Sequence, residues 1–204
     1  MPLIARSISQ LPFTMRSLNV TWPLFNIGDF STSNLLLAHL TNLELAISQL
    51  KAVPHLLHLC PNLSSLTICV SVKQRLLAIE SFTHTKLQSL RIAHDLGNAE
   101  HLAGLFDALS FPNLRLLEAR NIEPSQVSFL FDALTPLRVH ELAARAVQPW
   151  PHEQLTTCLV RSNWSLETLV FSAGVLTTDE QRAGYITYIP SLNVVVDSMC
   201  NHFV

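Results

Sequence analysis

The stretch Leu105-Phe-Asp-Ala-Leu109-Ser-Phe-Pro-Asn-Leu114-Arg-Leu-Leu117-Glu-Ala119-Arg120 holds two periodicities back to back. Leu102, Leu105, Phe106 and Leu109 fall at i, i+3, i+4 and i+7, the spacing of one helical face. Leu117 and Ala119 then alternate as one face of a strand, with Leu114 leading in. Pro112 separates the two patterns, because its ring cannot continue a helix and pushes the residue before it into extended backbone. The pentapeptide Leu-Phe-Asp-Ala-Leu returns at 130–134, inside a second helical pattern made by Val127, Leu130, Phe131 and Leu134.

The strand frame recurs in both directions from this point, as Met15-Leu18-Val20, Leu40-Leu43-Leu45, Leu63-Leu66-Ile68, Leu87-Leu90-Ile92, Leu114-Leu117-Ala119, Val139-Leu142-Ala144, Leu166-Leu169-Phe171 and Leu192-Val195-Asp197. Successive starts differ by 25, 23, 24, 27, 25, 27 and 26 residues. A further apolar residue follows each of the first seven frames: Leu24, Leu50, Val72, Leu96, Ile122, Val147 and Val175. Pro54, Pro124 and Pro151 suit a first helical turn, Asn98, Ser125 and Thr178 suit N-caps, and Asp179-Glu180 complement a helix dipole. Pro61-Asn62-Leu63, Pro112-Asn113-Leu114 and Pro190-Ser191-Leu192 stop the helices ahead of the next strand.

A strand-turn-helix unit of this size cannot bury its apolar face alone and is stable only when stacked on its neighbours. The expected fold is therefore α/β, a leucine-rich-repeat solenoid of about eight units. Parallel strands would line a concave face and helices a convex one, in a single domain over residues 1–204.

Composition narrows the function. Apolar residues make up 49% and charged residues 14%, which supplies a core and disfavours disorder. A net charge of −2 without a basic stripe argues against nucleic acid. No apolar run reaches the roughly 20 residues of a membrane span, and the N-terminus lacks a signal-peptide pattern. Cys60, Cys69, Cys158 and Cys200 show neither C-x-x-C pairing nor the density of a disulfide framework, which fits reduced thiols in cytoplasm or nucleus.

The phrases Cys158-Leu-Val-Arg-Ser-Asn-Trp-Ser-Leu166-Glu-Thr-Leu169, Leu176-Thr-Thr-Asp179-Glu180 and Ile189-Pro190-Ser191-Leu192 close the array, and Leu59-Cys60-Pro61-Asn62-Leu63-Ser64-Ser65-Leu66 forms an internal junction. On these the chain resembles the C-terminal leucine-rich-repeat region of F-box proteins, particularly fungal ones. The resemblance implies a repeat domain that holds a protein substrate for a cullin-type ubiquitin ligase. The F-box motif itself is absent from this sequence, so an adaptor partner is expected only if an F-box lies outside it. The chain is expected to act as a monomer without catalysis or cofactor. Two other classes stay open: a free-standing regulatory repeat protein, either an inhibitor or a GTPase-activating type using Arg120 or Arg145, and a truncated product without a role.

If the frame leucines face inward, the residues between them face the concave surface. Small polar residues dominate its N-terminal half. The candidate partner-binding residues are Arg91, Leu116, Glu118, Arg120, Glu141, Arg145 and Val170. The charges among them either read a partner's complementary charges or pair across a ladder spaced about 4.8 Å. As a surface group, Glu118 should tolerate alanine at well under about 1 kcal/mol. Val170, Val194 and Val196 form an apolar patch, open to a partner or covered by the tail from Met199 to Val204.

Catalytic motifs were not found. His55-Leu-Leu-His58-Leu-Cys60 is the one ligand-like cluster, and its spacing does not place all three groups on one helical face. His39, His84, His94, His101, His140, His152 and His202 are scattered and expected at polar surface positions. Glycine-rich phosphate loops, Gly-x-Ser-x-Gly and His-Glu-x-x-His do not occur. Glu118 and Glu141 lie one unit apart without a pocket that would raise one pKa. Trp22, Trp150 and Trp164 read as packing anchors.

Overall fold

The computed structural model describes residues 12–25, 37–49, 52–70, 81–94, 108–120, 139–145, 150–161, 166–172, 175 and 177–196. In chain order its elements are β1 (Ser17–Phe25), β2 (Asn42–Ile47), α1 (Ala52–Leu59), β3 (Ser65–Val70), β4 (Phe82–Thr83), β5 (Ser89–His94), β6 (Leu109–Ser110), β7 (Leu116–Arg120), β8 (Glu141–Arg145), α2 (His152–Arg161), β9 (Thr168–Phe171), α3 (Asp179–Tyr188) and β10 (Asn193–Val196). One eight-stranded sheet runs β1-β2-β3-β5-β7-β8-β9-β10, and every neighbouring pair is parallel. The short β4 and β6 pair separately, also in parallel.

Register makes the sequence frame physical. Leu18, Leu43, Leu66, Leu90, Leu117, Leu142, Leu169 and Val194 partner one another in succession across the sheet. From Leu18 to Leu169 this column is buried, and Val194 packs partly buried against the same core. A second inward column holds Leu45, Ile68, Ile92 and Phe171. Intervening residues in β3 and β9 are only half-buried, the alternation that strand geometry demands.

Backbone hydrogen bonds at the strand starts repeat with the units. Two consecutive N–H groups converge on one carbonyl of the preceding unit: Ser64 and Ser65 on Thr41, Gln88 and Ser89 on Ser64, Arg115 and Leu116 on Gln88, His140 and Glu141 on Arg115. The amides of Leu40, Leu63, Leu114 and Leu192 each close a tight turn onto the carbonyl three residues back. Asn62 and Asn113 then donate their side-chain amides to the carbonyls of Ala38, at 2.9 Å, and Thr85, at 2.6 Å. The asparagine of Pro-Asn-Leu thus stitches unit to unit, a role beyond the helix stop that its proline provides.

The described helices follow their local signals. α1 buries Ala52, Val53, Leu56, Leu57 and Leu59, with Pro54 in its first turn. Pro151 directly precedes α2, which buries Leu155, Cys158 and Leu159. Thr178 caps α3 through a capping box with Gln181, and Asp179 and Glu180 occupy its first turn. No helix among the described residues is long and apolar enough to cross a membrane.

Several expectations need correcting. Leu109 ends in β6 rather than in a helix, where it is buried beside Phe82 in register. The final unit runs one residue short of the expected frame: Val194, not Val195, joins the inward column, and Val195 is 37% exposed. Its turn is closed by Leu192 as in other units, but the strand starts one residue sooner, which exchanges the two faces. β1 is longer than a frame, with a register shift between Val20 and Phe25; Pro23 is tolerated there because β1 lies at the sheet edge. The expected helix over Val127 to Leu134, the caps Asn98 and Ser125, Pro124, and the follower positions Leu50, Val72, Leu96, Ile122 and Val147 lie outside the described residues.

His84 is buried, contrary to its expected surface role. It stands where Cys60 and Phe111 stand in their units, and its ring replaces the backbone acceptor of the turn: Nδ1 accepts from the Leu87 amide at 3.1 Å. That fixes the neutral tautomer, so Nε2–H donates to the Cys60 carbonyl at 3.0 Å.

Leu117→Ala removes a fully buried member of the inward column and should cost about 2–5 kcal/mol. Val195→Ala, on the opposite face, should change stability by under about 0.5 kcal/mol. Urea unfolding of both variants checks this; equal losses would contradict the assignment of faces.

Candidate functional site

The outward face of the sheet carries its own columns. Register partners run Ser17, Asn42, Ser65, Ser89, Leu116, Glu141, Thr168 and Asn193 in one. The next runs Asn19, Glu44, Thr67, Arg91, Glu118, Ala143, Val170 and Val195. This second column changes character along the sheet: polar and charged as far as Glu118, aliphatic from Ala143 onward.

At the change stands the most concentrated charge. Arg91 Nε donates to Glu118 Oε2 at 2.9 Å across the β5–β7 pair. Arg120, two residues along β7, grips the same carboxylate with two bonds, Nε to Oε1 at 2.8 Å and Nη2 to Oε2 at 3.1 Å. Glu118 is only 4% exposed, which corrects its expected surface placement. Its burial is physically tolerable because three charge-assisted hydrogen bonds replace water. The arginine side chains are 35% and 38% exposed and cover the carboxylate while keeping one face in solvent. Of the two readings for these charges, pairing across the ladder is the one that the geometry realises for Arg91 and Glu118. A milder version occurs between β1 and β2, where Asn19 Nδ2 donates to Glu44 Oε2 at 2.6 Å.

The other candidate residues surround this group. Leu116 precedes Glu118 on the same face and pairs in register with Glu141; both are half-buried. Val170 is half-buried two strands beyond. Arg145 is the register partner of Arg120, and its side chain lies outside the described ones. The tail from Met199 to Val204 also lies outside the described residues.

The His55, His58 and Cys60 cluster does not converge. His58 packs edge-on against Phe82, while Cys60 is fully buried and its carbonyl receives His84. Burial pushes the Cys60 thiol from 9.0 up to about 12, which leaves it protonated and unreactive at neutral pH. Among the described residues no three His, Cys, Asp or Glu side chains gather as a metal site. His152 was also expected at the polar surface. Instead its ring stacks on Tyr185, with centroids 6.0 Å apart, and Nδ1 is paired with the Tyr185 hydroxyl. Trp150 is buried and meets Phe171 edge-on, as a packing anchor should.

One row of residues went unremarked in the sequence. The position directly before each strand holds Gln88, Arg115 and His140 in three successive units, and these border a groove of about 470 Å³ at the strand-start edge. The signal was present as the residue following each frame start, a place credited with no direction.

The backbone arrangement is similar to the crystal structure of a structural-genomics protein from Bacteroides fragilis, with a TM-score of 0.50 and 15% identity. The likeness covers 84% of this chain and 60% of that one, and concerns the fold alone. No protein-family model matches the sequence, and no curated protein matches it.

Glu118→Ala should cost about 1–3 kcal/mol, since hydrogen bonds to a buried charge are lost and two guanidiniums face each other unneutralised; denaturant unfolding measures it, and a loss under about 0.5 kcal/mol would place the carboxylate in solvent. The Cys60 thiol gives a second expectation. Its raised folded pKa means that only the unfolded chain releases the proton between about pH 9 and 12, so stability is intact below that window and falls through it. The pH dependence of thermal unfolding for wild type against Cys60→Ala isolates this contribution, and identical alkaline slopes would contradict it.

Proposed function

We propose that this chain is a leucine-rich-repeat solenoid acting as a protein-protein interaction module, the substrate-recognition part of an F-box-type ubiquitin-ligase adaptor, without catalysis of its own. The observation that carries the reading is the outward face of the parallel sheet. Its small polar residues, Ser65, Thr67 and Ser89, leave room for a partner to approach the sheet closely, and Arg91, Glu118 and Arg120 form a fixed charged group at its middle. Glu118 holds both guanidiniums in place, so little side-chain entropy remains to be lost on docking. Beyond it, past the buried Ala143, the half-buried Val170 and the exposed Val195 offer an apolar strip. A polar half and an apolar half joined by oriented arginines suit a protein segment of mixed character. The repeat frame and closing phrases shared with F-box repeat regions support the assignment to substrate recognition in cytoplasm or nucleus.

The test is co-purification from cell extract under cross-linking, followed by mass spectrometry that maps the cross-links. Partner cross-links should cluster on β3, β5, β7, β8 and β9, and Arg91→Glu together with Val170→Asp should weaken recovery at least about tenfold, the scale of a contact worth about 1.4 kcal/mol or more. Cross-links confined to the helices, or recovery unchanged by both substitutions, would overturn the reading. An adaptor of the cullin ligase recovered with a longer product that includes an F-box would support membership in such a ligase.

A further inference from the structure

The groove at the strand-start edge crosses the starts of four strands, β3, β5, β7 and β8, and is lined by neutral amides and hydroxyls, by Pro112 and Leu114, and by Lys86, Arg115 and His140. None of its lining residues is a carboxylate. Glu167 continues the row, and its carboxylate accepts from His140 Nδ1 at 3.1 Å. The cations are held differently. Lys86 Nζ donates to Asn62 Oδ1 at 2.6 Å, and Asn62 is itself anchored on the Ala38 carbonyl, so the ammonium is tethered to a fixed point. Arg115 is exposed, its backbone is pinned by bonds to Gln88 and from His140 and Glu141, and among the described residues its guanidinium makes no hydrogen bond or ion pair. Among the described residues, Arg91 and Arg120 are paired with Glu118, and Glu44 with Asn19, whereas the Glu141 side chain at the start of β8 makes no hydrogen bond or ion pair.

We propose that this groove is an anion subsite for an extended acidic peptide, with Arg115 and Lys86 as the groups that read its carboxylate or phosphate. Arg115 offers a planar fork suited to either oxyanion, and Lys86 offers a point charge one unit away. Strand spacing of about 4.8 Å makes the trough roughly 14 Å long, the length of about four extended residues. It lies open to solvent rather than enclosed, which suits a chain passing through and not a small molecule that must be engulfed. The lining holds no phenylalanine, tyrosine or tryptophan on which a nucleobase could stack, which separates the site from a single-strand nucleic-acid channel. This subsite uses side chains different from those of the outward face and stands or falls apart from it.

Fluorescence anisotropy of labelled hexaglutamate, a phosphoserine hexapeptide and hexaglutamine against the full chain tests the proposal. Either acidic peptide should bind, more tightly at low salt, and hexaglutamine should not. The tighter of the two acidic peptides assigns carboxylate or phosphate as the group read. Arg115→Glu and Lys86→Glu should each weaken binding at least about tenfold, and Arg115→Gln should weaken it by less. Arg182→Glu on α3 should leave it within about twofold, with thermal unfolding confirming that all variants are folded. Binding of neither acidic peptide, equal binding of hexaglutamine, or equal losses from Arg182→Glu would overturn the proposal.

Discussion

Everything in this molecule depends on a register lock: an aliphatic side chain in each strand must meet its counterpart in the next. Leu43 against Leu66, Leu66 against Leu90 and Leu90 against Leu117 are single steps of one column. Side chains alternate between faces, so a slip of one residue would bring Glu118 into the core and expose Leu117. That penalty is what lets the intervals between units vary by a few residues while the strands stay aligned. The variation is absorbed outside the strands, and the lock is reset at the starts of β2, β3, β5, β7, β8 and β9 by paired amides that converge on one carbonyl of the preceding unit.

The same lock sets the chemistry of the outward face. Residues far apart in sequence become neighbours only because register makes them so, and Arg91 and Glu118 meet for this reason. The buried carboxylate is the outcome of two guanidiniums folding over it. Burial and pairing are therefore a single event, and neither would be stable without the other. The edge row behaves differently, since its side chains emerge from turns rather than from the pleated sheet. Arg115 is thus held by its backbone while its side chain remains in solvent.

The inward frame was legible in the sequence because aliphatic side chains at fixed intervals have one physical use, burial, and seven of the eight frames kept their register. The eighth failed because the last unit lacks a residue between its turn and its strand, and Leu192-Asn-Val-Val-Val is apolar on both faces, so periodicity could not choose between Val194 and Val195. His84 and Glu118 were misplaced for another reason. A histidine or glutamate is inexpensive to bury only when its partners are already in position, and those partners, the Cys60 carbonyl and the Arg91 guanidinium, belong to other units. Composition reports the need for a partner but not its arrival. The stitching asparagines were hidden similarly, since Pro-Asn-Leu reads as a helix stop until the carbonyl of the preceding unit lies beside it.

Stacked strands draw their stability from neighbours, so a strand at an edge of the described sheet has one paired side where an inner strand has two. β10 shows what this requires. Val195 and Val196 are exposed at 37% and 43%, and the strand is paired on one side only among the described residues. What holds this segment is therefore not the strand alone. α3 contributes one fully buried side chain, Tyr185, which lies against Phe171 of β9 and stacks on His152 of α2. Burial raises the Tyr185 pKa and keeps its hydroxyl neutral, so it pairs with the histidine without placing a charge in the core. A single aromatic side chain thus ties α3 to β9 and to α2, adding to the one strand pairing that β10 makes among the described residues.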